Sequence, residues 1–287
     1  MYQGISNGVK SAKISSAVKK IAAVLVTAYF LSALMMLLFQ KKYIYCPSGK
    51  IIETPSEKGM KYEDVFFNSA DGEKLNGWYF PADDSSFVVL FCHGNADNIS
   101  YFIDSVKQLR ELGINVFIFD YRGYGRSTGR QSETGTYFDA VAAWNFLTQK
   151  KKIKRGNIIV LGRSLGGPIA AYLAKEYRPR ALFLESTFTS IPDIAVQMYP
   201  YLPIKKFLRY KYNTIEYLKK VKCPVLVVHS SDDRKVPFSN GRKLFEEAPG
   251  FKKFIELKGS HRDCFTVSLQ TYQEGIREFL KELKHRH

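Results

Sequence analysis

Two hydrophobic patterns divide this chain. Residues 21–39, IAAVLVTAYFLSALMMLLF, run without a single charge, and as a helix they reach roughly 28 Å, close to the ~30 Å hydrocarbon core of a bilayer. They lack the periodicity of a helix with one buried face. The small-x-small triplet Val26-Thr27-Ala28 lies inside the run, and Lys41 and Lys42 end it abruptly. An uncleaved transmembrane helix is therefore expected rather than a signal peptide. Further on, short unbroken apolar runs at 87–92, 116–120, 158–161, 181–184, 225–228 and 254–257 alternate with helical stretches such as 137–148 and 166–177. Continuous rather than alternating apolarity means that both faces of each strand are covered, which predicts an α/β fold with a mostly parallel central sheet and helices on both faces. Before this region, 63–68 and 75–80 flank Asp71-Gly72 and read as a β-hairpin. At the end, Leu269, Tyr272, Ile276, Phe279 or Leu280, and Leu283 recur at helical spacing.

These patterns divide the chain into a basic segment (1–20), the anchor (21–39), a linker (40–61) broken by Pro47, Gly49 and Pro55, and one domain (62–287). Within the domain, 190–217 is the candidate for a small cap, with Met198, Tyr199, Tyr201, Leu202, Phe207 and Leu208 either an apolar lining among lysines or side chains that pack on the domain.

Charge adds partners to this picture. The formal net charge is +16, and no acidic residue precedes Glu53, so Lys10, Lys13, Lys19, Lys20, Lys41, Lys42 and Lys50 stand unopposed in sequence. Basic runs at 150–155 and 205–222 suit anionic lipid headgroups or solvated helix ends. They carry no nucleic-acid recognition module, and no nucleic-acid partner is expected. Four lysines before the apolar run against three after it favour an extracytoplasmic domain. Cys46, Cys92, Cys223 and Cys264 form neither a CxxC pair nor a disulfide framework. No His/Asp/Glu cluster has metal-ligand spacing, and no cofactor is expected.

The candidate chemistry centres on Gly162-Arg163-Ser164-Leu165-Gly166-Gly167, which joins a predicted strand to a predicted helix. A serine in such a turn projects its hydroxyl from the sheet, and glycines flank it because strand and helix approach closely. The hydroxyl needs a base and the base needs an acid, which follow the serine in the order acid, then histidine. Of His93, His229, His261, His285 and His287, the first two come too early or too near strands and the last two lie on a polar tail. His261 remains. The run 225–228 leads into Asp232 and Asp233, either of which could serve as the acid by spacing. Two backbone N–H groups should face the developing oxyanion: that of Leu165, and that of Asn95 in the loop Cys92-His93-Gly94-Asn95-Ala96.

With those residues assembled, 62–283 resembles the α/β-hydrolase superfamily, particularly its short-cap, membrane-anchored branch of esterase-like and protein-depalmitoylating enzymes. The matching text includes Leu90 through Ala96, Phe119-Asp120-Tyr121-Arg122-Gly123-Tyr124-Gly125-Arg126-Ser127, the Ser164 elbow, Glu185-Ser186-Thr187-Phe188-Thr189-Ser190 and, after the anchor, Tyr43-Ile44-Tyr45-Cys46-Pro47. The resemblance lays the acid on Asp233, four residues before Pro237, although Ser230 stands where the family pattern has glycine. Asp232 is its reserve and Glu185 a more distant one. The resemblance implies a membrane-anchored serine hydrolase cleaving a small carboxylic ester or thioester through an acyl-enzyme, with membrane lipid as its other partner. A serine peptidase sharing the triad and a non-catalytic binding protein are the rival readings, and the sequence does not give the oligomeric state.

Overall fold

The computed structural model describes residues 3–82 and 86–285; His287 and the first two residues of the basic segment lie outside them. An eight-stranded sheet has the order β10-β9-β8-β7-β4-β6-β3-β2. Its strands are β2 (Glu63–Asn68), β3 (Lys74–Phe80), β4 (Val88–Cys92), β6 (Asn115–Phe119), β7 (Ile158–Arg163), β8 (Ala181–Glu185), β9 (Val225–Ser230) and β10 (Lys252–Leu257). From β6 to β10 every neighbouring pair is parallel, while β2 and β3 form the antiparallel hairpin at one edge. Gly72 closes that hairpin with φ near 90°, a conformation that glycine adopts without the Cβ penalty of other residues.

The central strands β4, β7 and β8 are buried along their whole length, which is why their sequences do not alternate. Val88, Leu90 and Cys92 face one apolar layer and Val89 and Phe91 the other. Helices Glu133–Asn145 and Gly166–Tyr177 cover the first layer, and helices Ile103–Arg110 and Leu269–Lys284 cover the second. The last helix buries Tyr272, Ile276, Phe279, Leu280 and Leu283, the stripe read from spacing.

At the N-terminus one helix runs from Gln3 to Leu38. Its stretch Val18–Leu38, 21 residues at a mean hydropathy of 2.4, is long and apolar enough to cross a membrane. Only 6% of that apolar window is buried against the rest of the chain. After a short helix, Gln40–Ile44, the linker makes an element that the sequence pattern did not predict. Strand β1 (Cys46–Pro47) pairs in parallel with β5 (Ala96–Asp97), just beyond the carboxyl end of β4.

Residues 190–217 fold as helices Ile191–Met198 and Thr214–Leu218 with an irregular stretch between them. Of their apolar side chains, Leu208 is buried, whereas Met198, Tyr199, Tyr201 and Phe207 are exposed. They do not line the serine pocket described below, contrary to the lining expected of a cap.

Candidate active site

Strand β7 ends at Arg163, and the chain must turn at once into the helix Gly166–Tyr177. Ser164 takes that turn with φ near 54°, a left-handed conformation rare for a residue with a side chain. Three contacts hold it there: Ser164 N–H donates to the Glu185 carbonyl at 2.9 Å, and its own carbonyl accepts from Gly167 N–H at 3.0 Å and from Thr187 Oγ1 at 2.6 Å. The flanking glycines are steric necessities. A Cβ on Gly162 would come within 2.3 Å of the Gly166 carbonyl oxygen, and one on Gly166 within 1.9 Å of the Cys92 carbonyl oxygen.

Facing this turn, the loop after β10 supplies His261, whose Nε2 lies 3.2 Å from Ser164 Oγ. Its Nδ1 lies 2.7 Å from Oδ2 of Asp233, on the loop after β9. With Nδ1–H donating to the carboxylate, Nε2 is the free acceptor for the serine proton. Asp233 is buried, and its Oδ1 accepts the N–H groups of Lys235 and Val236 at 2.9 Å each. Burial pushes this carboxyl up, but the His261 hydrogen bond and charge and the Val236 amide outweigh it, so its pKa lies below the ordinary carboxylate value.

The two reserve acids are placed elsewhere. Asp232 points to solvent and accepts Gly259 N–H at 3.1 Å. Glu185 is fully buried and grips Arg163 Nε at 2.9 Å while accepting Tyr272 Oη–H at 2.6 Å. Arg163 also donates to Ser105 Oγ at 2.7 Å, and its guanidinium lies 3.6 Å from the Phe265 ring centroid. This buried network under the serine went unread because an arginine inside a G-x-S-x-G pattern carries no spacing signal of its own.

His93 and His229 make their hydrogen bonds to other partners than the serine. His93 is buried, with Nδ1 2.7 Å from the Gly94 carbonyl oxygen, and burial lowers its pKa to about 4. His229 is buried beside Asp233 with Nε2 2.9 Å from the Val236 carbonyl oxygen, and burial likewise holds its pKa below the ordinary value. Its Nε2 also lies 3.7 Å from Asp233 Oδ2, the oxygen that faces His261.

Asn95 lies on the pocket wall with Ser164 and His261. Its carbonyl oxygen accepts from Tyr124 Oη at 3.0 Å and from Cys46 N–H at 3.0 Å, while Ser48 N–H donates to the Asp97 carbonyl at 3.0 Å. The linker strand β1 thus pins the loop that carries Asn95, with Asp97 held at φ 63°. Leu165, buried directly after the serine, begins the following helix. Among the described residues neither the Asn95 nor the Leu165 N–H donates to a protein acceptor. The cavity beside Ser164 measures about 200 Å³ and is walled by Gly94, Asn95, Ala96, Asp97, Tyr101, Phe102, Ser105, Arg163, Lys235 and Arg262 along with Ser164 and His261.

Comparison with known proteins agrees with this architecture. A family profile for the alpha/beta hydrolase fold matches residues 88–203. The chain is 32% identical to the alpha/beta hydrolase domain-containing protein WAV2 of Arabidopsis thaliana, over 86% of this chain and 89% of that protein. It is 34% identical to an uncharacterized membrane protein of Saccharomyces cerevisiae, over 80% of this chain and 84% of the other. In structure it is similar to an esterase of Pyrococcus furiosus, with a TM-score of 0.69 at 21% identity, covering 83% of this chain and 97% of that one. The chain belongs to the α/β-hydrolase family.

Proposed function

We propose that this protein is a membrane-anchored serine hydrolase that cleaves carboxylic esters or thioesters through an acyl-enzyme on Ser164. The observation that carries this reading is the series Ser164 Oγ, His261 Nε2, His261 Nδ1 and Asp233 Oδ2, joined at 3.2 and 2.7 Å and open to a cavity. His261 takes the hydroxyl proton as Ser164 Oγ attacks the acyl carbon, and the Asp233 carboxylate stabilises the imidazolium that forms. The oxyanion is met by the N–H groups of Asn95 and Leu165. His261 then gives its proton to the departing alcohol or thiol, and a water molecule repeats the sequence on the acyl-enzyme. A cavity of about 200 Å³ suits a small acyl group better than a folded peptide. The apolar helix Val18–Leu38 anchors the enzyme, and the lysine asymmetry around it supports an extracytoplasmic domain.

A fluorophosphonate probe tests the chemistry. The full chain should be labelled and Ser164→Ala should not; labelling that survives the substitution would overturn the assignment. p-Nitrophenyl esters of graded acyl length, set against aminoacyl anilides, then separate esterase from peptidase.

A further inference from the structure

The contact between the anchor and the segment that follows β8 points to a second membrane-binding element. We infer that the loop centred on Tyr201 inserts into the same phospholipid bilayer as the N-terminal helix, which makes the domain a two-point membrane binder. This rests on the reading of Val18–Leu38 as a membrane span.

The loop reads Met198-Tyr199-Pro200-Tyr201-Leu202-Pro203-Ile204, seven residues without a charge. Tyr201 is 86% exposed, and Met198, Tyr199 and Phe207 are exposed around it. Aromatic side chains at the tip of a loop cost free energy in water and are the residue type enriched at membrane interfaces. Lys206 and Arg209 follow, both exposed and without an ion pair among the described residues, so the apolar tip has a cationic collar suited to anionic headgroups.

The loop's position relative to the bilayer is set by the anchor itself. Tyr29 Oη, within the span, donates to the Tyr201 carbonyl oxygen. Gln40 Oε1 accepts Arg209 N–H at 2.7 Å, and the Tyr45 and Tyr212 hydroxyls meet at 2.7 Å. Tyr29 precedes the end of the helix at Leu38 by nine residues, about 14 Å along the axis. A span that brings Leu38 to the membrane surface therefore carries Tyr201 below that surface, by an amount that shrinks as the helix tilts. At such depth an unpaired backbone carbonyl is costly, and the Tyr29 hydroxyl satisfies the one at the loop's tip.

Tryptophan fluorescence tests this directly, because the native Trp78 and Trp144 are both buried in the domain core. The full-length chain carrying Tyr201→Trp is reconstituted into phosphatidylcholine/phosphatidylglycerol vesicles with and without brominated acyl chains, beside a Leu31→Trp control in the anchor. The inference predicts blue-shifted added emission from Tyr201→Trp, most of it quenched by the brominated lipid. If Leu31→Trp is quenched and Tyr201→Trp emits as in water, the loop proposal falls while the anchor stands. Blue-shifted emission that brominated lipid leaves untouched means that protein, such as a second copy, covers the loop, and it also overturns the proposal. If neither probe is quenched, the anchor reading fails and the loop proposal fails with it.

Discussion

Replacing Asp233 by asparagine isolates the electrostatic role of one oxygen. The neutral amide keeps the shape, and its carbonyl oxygen can still accept the Lys235 and Val236 N–H groups now held at 2.9 Å by Oδ1, so the loop after β9 should stay folded. What disappears is the charge 2.7 Å from His261 Nδ1. With charge centres about 4 Å apart and an effective dielectric of about 20, that interaction contributes about 4 kcal/mol to the imidazolium. At about 1.4 kcal/mol per tenfold, kcat should fall about 10³-fold. The amide N–H can also donate to Nδ1, which forces the proton onto Nε2 and blocks acceptance from Ser164; loss of the equivalent carboxylate in a serine protease costs about 10⁴-fold. A fall of 10³ to 10⁴ in kcat for a p-nitrophenyl ester, with little change in the thermal midpoint, is the expected outcome. The control is Asp232→Asn, which loses one exposed contact to Gly259 N–H and should keep activity within a few fold. Asp233→Asn retaining a tenth or more of wild-type activity, or Asp232→Asn losing as much, would refute the assignment of the acid.

Three further predictions concern the surroundings of the triad. Gly166→Ala places a methyl group 1.9 Å from a backbone oxygen, so the variant should lose probe labelling together with thermal stability; normal labelling would show that the elbow relaxes more easily than its geometry implies. Cys46→Pro deletes the N–H that β1 donates to the Asn95 carbonyl while Tyr124 Oη still holds it. Loss of one such bond, about 1 kcal/mol, should lower kcat by about fivefold with KM nearly unchanged, and a change confined to KM would argue against a role in oxyanion stabilisation. Burial of Asp120, opposed only in part by the Ile99 N–H and Arg126, raises its pKa to about 8. Because the folded value lies above the unfolded one of about 3.9, the stability it confers is greatest below pH 4 and is lost as pH rises toward 8. Urea midpoints should therefore fall between pH 5 and pH 8 more steeply in wild type than in Asp120→Asn, and equal slopes would exclude Asp120 as the cause.

The fold was largely legible before the tertiary structure because local physics writes it into the chain. A strand covered on both faces must be apolar throughout, and the six runs read from the sequence fall on β4 and β6 to β10 with ends shifted by two residues or fewer. The sharp turn at Ser164 was equally plain, since only glycine tolerates the contacts at Gly162 and Gly166, and the structure brings His261, the histidine left by elimination, to 3.2 Å from Ser164 Oγ. The acid was different. Adjacent aspartates differ in sequence only by one position, and the resemblance favoured Asp233; the tertiary structure buries that side chain against His261 and leaves Asp232 in water.

Other features depend on contacts between residues far apart in the chain, and spacing carries no trace of them. The pairing of Cys46–Pro47 with Ala96–Asp97, the Arg163–Glu185–Tyr272 network and the seating of Tyr201 against Tyr29 each join segments tens of residues apart or more. In the segment 190–217 the apolar residues were legible, but not the direction each faces: Met198, Tyr199, Tyr201 and Phe207 turn outward, Ile204 and Leu208 pack inward, and none of them lines the serine pocket. Composition determines that a side chain avoids water. Whether it does so in a core, over a substrate or in a bilayer is decided only when the rest of the chain has taken its place.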